Sequence, residues 1–151
     1  MKIEKTYDLP FAPKRVFDAW ICPSTVIAPT TRIDINPTVG GHCRHFVEQD
    51  DRCNRAEGLF FAIEQDRRVR YTWERDRDGE ITEVDVLFDG GEEGTTLHIC
   101  HSGFRKEESR ADQDSGWDMY VEQLSALLET SAEEVETEAG AESDRVEIDL
   151  V

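Results

Sequence analysis

Eight residues in this chain carry side chains that could move a proton, attack a carbonyl or hold a metal: His42, His45, His98, His101, Cys22, Cys43, Cys53 and Cys100. Two short runs, His42-Cys43-Arg44-His45 and His98-Ile99-Cys100-His101, set histidine and cysteine side by side. Structural zinc is held by closely spaced cysteine or histidine knuckles on turns, and neither run has that spacing, so no metal site is expected. The cysteines form no CxxC pair, which argues against a disulfide framework and for four reduced thiols. Cys43 could act as a nucleophile only if His45 or His101 lowered its pKa. General acid–base work by His45 or His101 would need both rings to face one space. A Ser/His/Asp arrangement and a glycine-rich phosphate loop are both lacking. The sequence therefore assigns no catalytic residue and no cofactor.

Whether these side chains meet depends on the elements that carry them. Residues 3–9 alternate apolar and polar as a strand does. Pro13 suits the first position of a helix, in which Val16 with Trp20 and Phe17 with Ile21 give one apolar face. A second short helical turn is expected around Ser24–Ile27. Period-two segments follow at 31–35, 42–48 and 58–64, with Asp50–Asn54 read as a hairpin connection. Further strands carry Val69, Tyr71 and Trp73, then Val84, Val86 and Phe88, then Leu97, Ile99 and His101. Asp78-Gly79 is a hairpin signal between two of them. A long amphipathic helix opens at Ser115-Gly116-Trp117, with Trp117, Val121, Leu124 and Leu128 on one stripe.

The apolar stripe and the apolar sheet face must bury each other. The expected fold is α+β: a curved antiparallel sheet of six to seven strands wrapped around a long C-terminal helix, with two short helices after the first strand. Alternation turns a set of side chains inward: Phe17, Trp20, Cys43, His45, Phe61, Tyr71, Trp73, Val86, Phe88, Ile99, His101, Trp117 and Tyr120, with Ile63, Val84, Leu97 and Leu124 beside them. Charged groups are not expected on these faces. An aromatic lining of this kind suits a pocket for an apolar or aromatic small molecule, in which His45, His101 and Tyr71 would orient the guest. A filled core would have the same composition.

Charge narrows the partners. The chain has 151 residues, a formal net charge of -17, and 34 Asp and Glu against 17 Lys and Arg. Phosphate backbones and anionic membrane surfaces attract clustered Lys and Arg, so neither nucleic acid nor a membrane is an expected partner. The absence of a long apolar run and of an apolar leader points to the cytoplasm. Only four of the basic residues are lysine, and an acidic, lysine-poor surface suits concentrated salt, which screens self-repulsion. Residues 1–130 are expected to form the domain, and 131–151 an acidic, unstructured tail. From Glu129 to Asp149 nine acidic residues face Arg145 alone.

Five spaced segments carry a resemblance: APKRVFDAW at 12–20, GGHCRHF at 40–46, EGLFFAIEQDRRVRYTW at 57–73, GTTLHICHSGF at 94–104 and GWDMYVEQLSALL at 116–128. Together they resemble the activator of heat shock protein 90 ATPase-like group of the SRPBCC, or START-like, superfamily, which takes in polyketide cyclases and birch pollen allergens. The resemblance implies a helix-grip fold with a cavity between the sheet and the C-terminal helix. Where that group usually has aromatic or aliphatic residues after the Gly-Gly turn, this chain has Cys43 and His45, which implies a more polar end to the cavity. The function expected is small-molecule binding. One alternative is a cyclase- or hydrolase-like enzyme using a cavity histidine, and another a chaperone-associated interaction domain. A protein partner or a homodimer stays open.

Overall fold

A computed structural model describes residues 1–139 of the chain, with side chains through Thr130. Seven strands and two helices follow in the order β1 (Lys2–Leu9), α1 (Pro13–Trp20), β2 (Arg32–Ile35), β3 (His42–Gln49), β4 (Arg52–Glu64), β5 (Arg68–Arg75), β6 (Thr82–Gly91), β7 (Gly94–Ser102) and α2 (Glu107–Ala139). All seven strands form one antiparallel sheet ordered β1-β7-β6-β5-β4-β3-β2. From β2 to β7 it is a meander, and β1 closes it at the far edge by pairing with β7, Lys2 opposite Ser102 and Leu9 opposite Thr95. The concave face is apolar: Val69 and Tyr71, Val84, Val86 and Phe88, and Leu97 and Ile99 are buried there against Val16, Phe17 and Trp20 of α1 and Val121, Leu124 and Leu128 of α2.

Three expectations need correction. The segment around Ser24–Ile27 is a turn rather than a helix, so one short helix follows β1. Pro23 and Pro29 fall six residues apart in the sequence, too close for a helix of useful length between them. Strand β4 begins at Arg52 rather than Gly58, so the segment read as a connection is half strand, and only Asp50 and Asp51 turn the chain. Asp50 takes the left-handed conformation that Asp tolerates, at φ 53. Helix α2 begins at Glu107, eight residues before Ser115. The buried carboxylate of Glu80 accepts hydrogen bonds from the Arg105 and Lys106 amides at 2.6 and 3.0 Å, fixing the chain just ahead of the helix. Glu107 and Glu108 in the first turn complement the helix dipole. Helix α2 runs to Ala139, and the rest of the expected tail, residues 140–151, lies outside the described residues.

Polar contacts hold α2 against the sheet and α1. Lys5 Nζ lies 2.7 Å from Asp114 and 3.1 Å from Asp118, and the Tyr7 hydroxyl donates to Asp118 at 2.7 Å. On the other side, Arg15 donates to the Leu128 carbonyl at 2.7 Å. Helix α2 is thus tied in its first half to β1 and further along to α1.

Strand β4 is irregular where it crosses β5. Regular pairing runs from Ala56–Arg75 through Glu57–Glu74 and returns at Phe60–Tyr71, then slips by one residue between Phe60 and Ala62. At the first break the Leu59 amide donates to the Thr72 hydroxyl at 3.0 Å. Gly58 lies so close to β5 that a Cβ there would sit 1.7 Å from the Thr72 carbonyl oxygen. A glycine and a bulge within a few residues let a sheet bend sharply.

Candidate functional site

The bend leaves a cavity of about 400 Å3 between α2 and the half of the sheet made by β3, β4 and β5. Its walls come from Cys43, His45 and Val47 of β3, Asn54, Arg55, Ala56 and Phe60 of β4, Tyr71, Trp73 and Arg75 of β5, and Val84 of β6. Trp20 of α1 closes one side, and Gln113, Gly116, Trp117 and Tyr120 of α2 form the roof. Pro29, Thr30 and Asp76 complete the rim. All three tryptophans of the chain line this space. Trp20 and Trp117 stack at 5.9 Å with their planes 15° apart, and Tyr120 sits edge-on to both at 5.2 and 6.0 Å.

Seven of the thirteen residues expected to face a guest line this cavity: Trp20, Cys43, His45, Tyr71, Trp73, Trp117 and Tyr120. Phe17, Val86, Phe88 and Ile99 are buried in the packed core instead. Phe61 points out of the barrel-like curve, 39 % exposed, with the Arg70 guanidinium 4.9 Å from its ring centre, while Phe60 is 2 % exposed and faces in. The bulge at Phe60/Ala62 causes the exchange, because one extra residue on one strand inverts the alternation beyond it.

His101 is 0 % exposed and is sealed beneath the cavity rather than open to it. The Trp117 indole N–H donates to its Nδ1 at 3.0 Å, its Nε2 lies 2.7 Å from the Thr82 hydroxyl, and that hydroxyl donates to the Trp73 carbonyl at 3.0 Å. Only one proton placement satisfies all three bonds: a neutral imidazole with hydrogen on Nε2. The ring links the roof of the cavity to its wall. Its pKa is pushed down to about 4 by burial, with the positive charge of Arg75 acting the same way.

Four of the cavity's ionisable groups, Cys43, His45, Tyr71 and Tyr120, are held neutral by burial. Burial lowers His45 to about 4 and raises the Cys43 thiol to about 12. Burial also lifts the Tyr71 and Tyr120 phenols above their ordinary value. Tyr71 accepts the Trp20 indole N–H at 3.2 Å, which leaves its own proton free to donate. His45 packs edge-on to Trp73 at 5.2 Å. A thiol held protonated is a poor nucleophile, and His45 and His101 do not share one space. Among the described residues no group of three or more His, Cys, Asp or Glu could hold a metal, and no helix is long and apolar enough to cross a membrane.

Alternation on the sheet also carried a signal for the polar rim. Arg75 follows Tyr71 and Trp73 on the same face of β5, and Asn54 and Ala56 precede Gly58 and Phe60 on β4. The expectation that inner faces lack charge fails at Arg75, which this continuation turns inward, and Arg55 and Asp76 also border the cavity.

Neutral buried histidines make stability depend on pH. At pH 5 the unfolded chain binds protons at His45 and His101, which ordinarily titrate near 6.5, whereas the folded chain, with both near 4, does not. Folding stability should therefore fall as pH drops from 6.5 towards 4, by about 2 kcal/mol for His101 between pH 7 and 5. Glu80 adds a loss further down: amide and Ser109 hydroxyl hydrogen bonds hold it near 2, so its contribution disappears as pH falls from 4.5 to 2. Urea midpoints at pH 7 and 5 check the first step, and His45→Gln should make that step shallower.

A curved antiparallel sheet gripping a long helix over an aromatic cavity defines a helix-grip protein. Within that class the chain belongs to the Activator of Hsp90 ATPase homolog 1-like family, whose model matches residues 10–129. Solved structures of the same fold include a protein from Chromobacterium violaceum, with TM-score 0.73, 21 % identity and coverage of 85 % of this chain and 96 % of that one. DynU16, from the dynemicin biosynthetic locus, aligns at TM-score 0.72 and 24 % identity over 86 % of this chain and 48 % of its own. An HSP90 activator from Plasmodium falciparum aligns at TM-score 0.72 and 18 % identity over 85 % and 96 %. No curated protein sequence matches the chain.

Proposed function

We propose that the chain is a binding module for an aromatic small molecule, which enters between β3–β5 and the Gln113–Tyr120 stretch of α2. The observation that carries this reading is the cavity itself: about 400 Å3, within the size range of small-molecule sites, and walled by Trp20, Tyr71, Trp73, Trp117 and Tyr120. Aromatic walls bury a flat guest at little entropic cost to the protein, and the unengaged Tyr71 proton and His45 ring give it direction. DynU16, from a biosynthetic locus, shares the fold and is consistent with a role near such a compound. A catalytic reading has less support, since the cavity's thiol and imidazole are held neutral and His101 is fully engaged in hydrogen bonds.

An amide NMR titration with a mixed library of apolar and aromatic compounds tests the proposal. Shifts should cluster on Trp20, Trp73, Trp117 and Tyr120, and Ala56→Leu, which adds bulk to the wall, should abolish them without altering the rest of the spectrum. Shifts scattered over the surface, or none, would mean that no guest enters the cavity.

A further inference from the structure

Arg75 stands apart from the other cavity residues. It lies on the concave face at the end of β5, half-buried in the cavity wall, and no ion pair or side-chain hydrogen bond engages its guanidinium among the described residues. The acidity of the chain makes that notable: Arg32, Arg44, Arg55, Arg67, Arg68, Arg70, Arg77 and Arg110 all lie within 4 Å of a carboxylate. The one carboxylate among the cavity's lining residues, Asp76, accepts from the Asn54 amide group at 3.3 Å and the Arg55 backbone N–H at 2.9 Å, and Glu80, which borders a small recess with Arg75, accepts from the Arg105 and Lys106 amides. A guanidinium in a partly apolar cavity without a counter-charge is costly unless the guest supplies one.

Resting on the binding reading above, we infer that the guest is an aromatic acid whose anionic group pairs with Arg75 while its ring lies among Trp73, Trp117 and Tyr120. Arg75 is then the specificity determinant, selecting an anion in a protein whose overall field repels one. The planar fork of guanidinium suits a carboxylate through two parallel hydrogen bonds. Gln113 on the roof is a further donor, and it and Arg75 also line one small adjoining recess.

Because every tryptophan of the chain lines the cavity, intrinsic fluorescence reports occupancy directly. The probes are 2-naphthoate and its uncharged counterpart 2-naphthamide, titrated into the full chain at about 0.1 M salt, where surface charge effects are partly screened. In the unmodified protein naphthoate should bind about tenfold or more tighter than naphthamide, the size of effect a charge-assisted hydrogen bond gives. Arg75→Gln should erase that preference, with naphthoate losing most of its affinity and naphthamide far less, and the naphthamide binding that remains shows that the cavity is intact. Arg67→Gln, the same charge change in the β4–β5 turn away from the cavity, should keep the preference. Equal affinities for the two probes in the unmodified protein would overturn the role of Arg75 and leave the binding reading standing. A preference lost equally in Arg67→Gln would assign it to overall charge and overturn the role of Arg75. Failure of both probes to bind would overturn the aromatic-guest reading and this inference with it.

Discussion

Gly58→Ala should cost the fold about 3 kcal/mol or more, a large part of the stability of a domain this size. The added Cβ would lie 1.7 Å from the Thr72 carbonyl oxygen and 2.4 Å from its carbon. Both are main-chain atoms, so relief requires β4 and β5 to part rather than a side chain to swing aside. Parting them would also lengthen the bond from the Leu59 amide to the Thr72 hydroxyl. Gly116→Ala provides the contrast, since no neighbouring atom lies within 4 Å of a Cβ there and the residue is helical. It should stabilise by up to about 1 kcal/mol, the ordinary helical preference for alanine over glycine. Urea denaturation of the two variants measures both. An unchanged midpoint for Gly58→Ala would mean that the strands stand further apart at that point than described.

His101→Ala is expected to destabilise by about 3 to 4 kcal/mol. The substitution empties a fully buried site and leaves the Trp117 indole N–H and the Thr82 hydroxyl without their partner. Two further readouts follow from the same bonds. Trp117 is released from the wall, so the stacking with Trp20 should loosen and near-ultraviolet circular dichroism should weaken. The loss of stability between pH 7 and 5 should also shrink, because one of the two buried-histidine contributions has gone. A variant as stable as the parent and just as sensitive to acid would contradict the sealed, neutral His101.

The strands and the apolar stripe of α2 were readable because period-two and helical alternation survive wherever one face meets the core, as at Val84, Val86 and Phe88 or at Val121, Leu124 and Leu128. What escaped was local backbone geometry. Phe60 and Phe61 are chemically identical neighbours, and only the bulge decides which one faces in. The first two turns of α2 are polar, and what fixes them is Glu80, some 27 positions earlier in the chain, so no local pattern marks the start. At the site, the aromatic walls were legible, whereas alternation set His101 on the inner face without giving its depth, which left ligand contact and a structural role both open. Arg75 was visible on the face of Tyr71 and Trp73, and its charge argued against an inward position until a partly open cavity supplied the room.

The pairing of β1 with β7 has a consequence for how the chain is made. Lys2 finds its partner only at Ser102, and synthesis at about 5–20 residues per second puts roughly 5–20 s between them. During that interval the meander from β2 can grow strand by strand, but its β7 edge is still missing and α2 has yet to emerge. The concave face that later houses Tyr71, Trp73 and Val84 is therefore bare while the ribosome is still at work. Chains stalled short of residue 102 are therefore expected to expose this apolar surface and to be prone to aggregation.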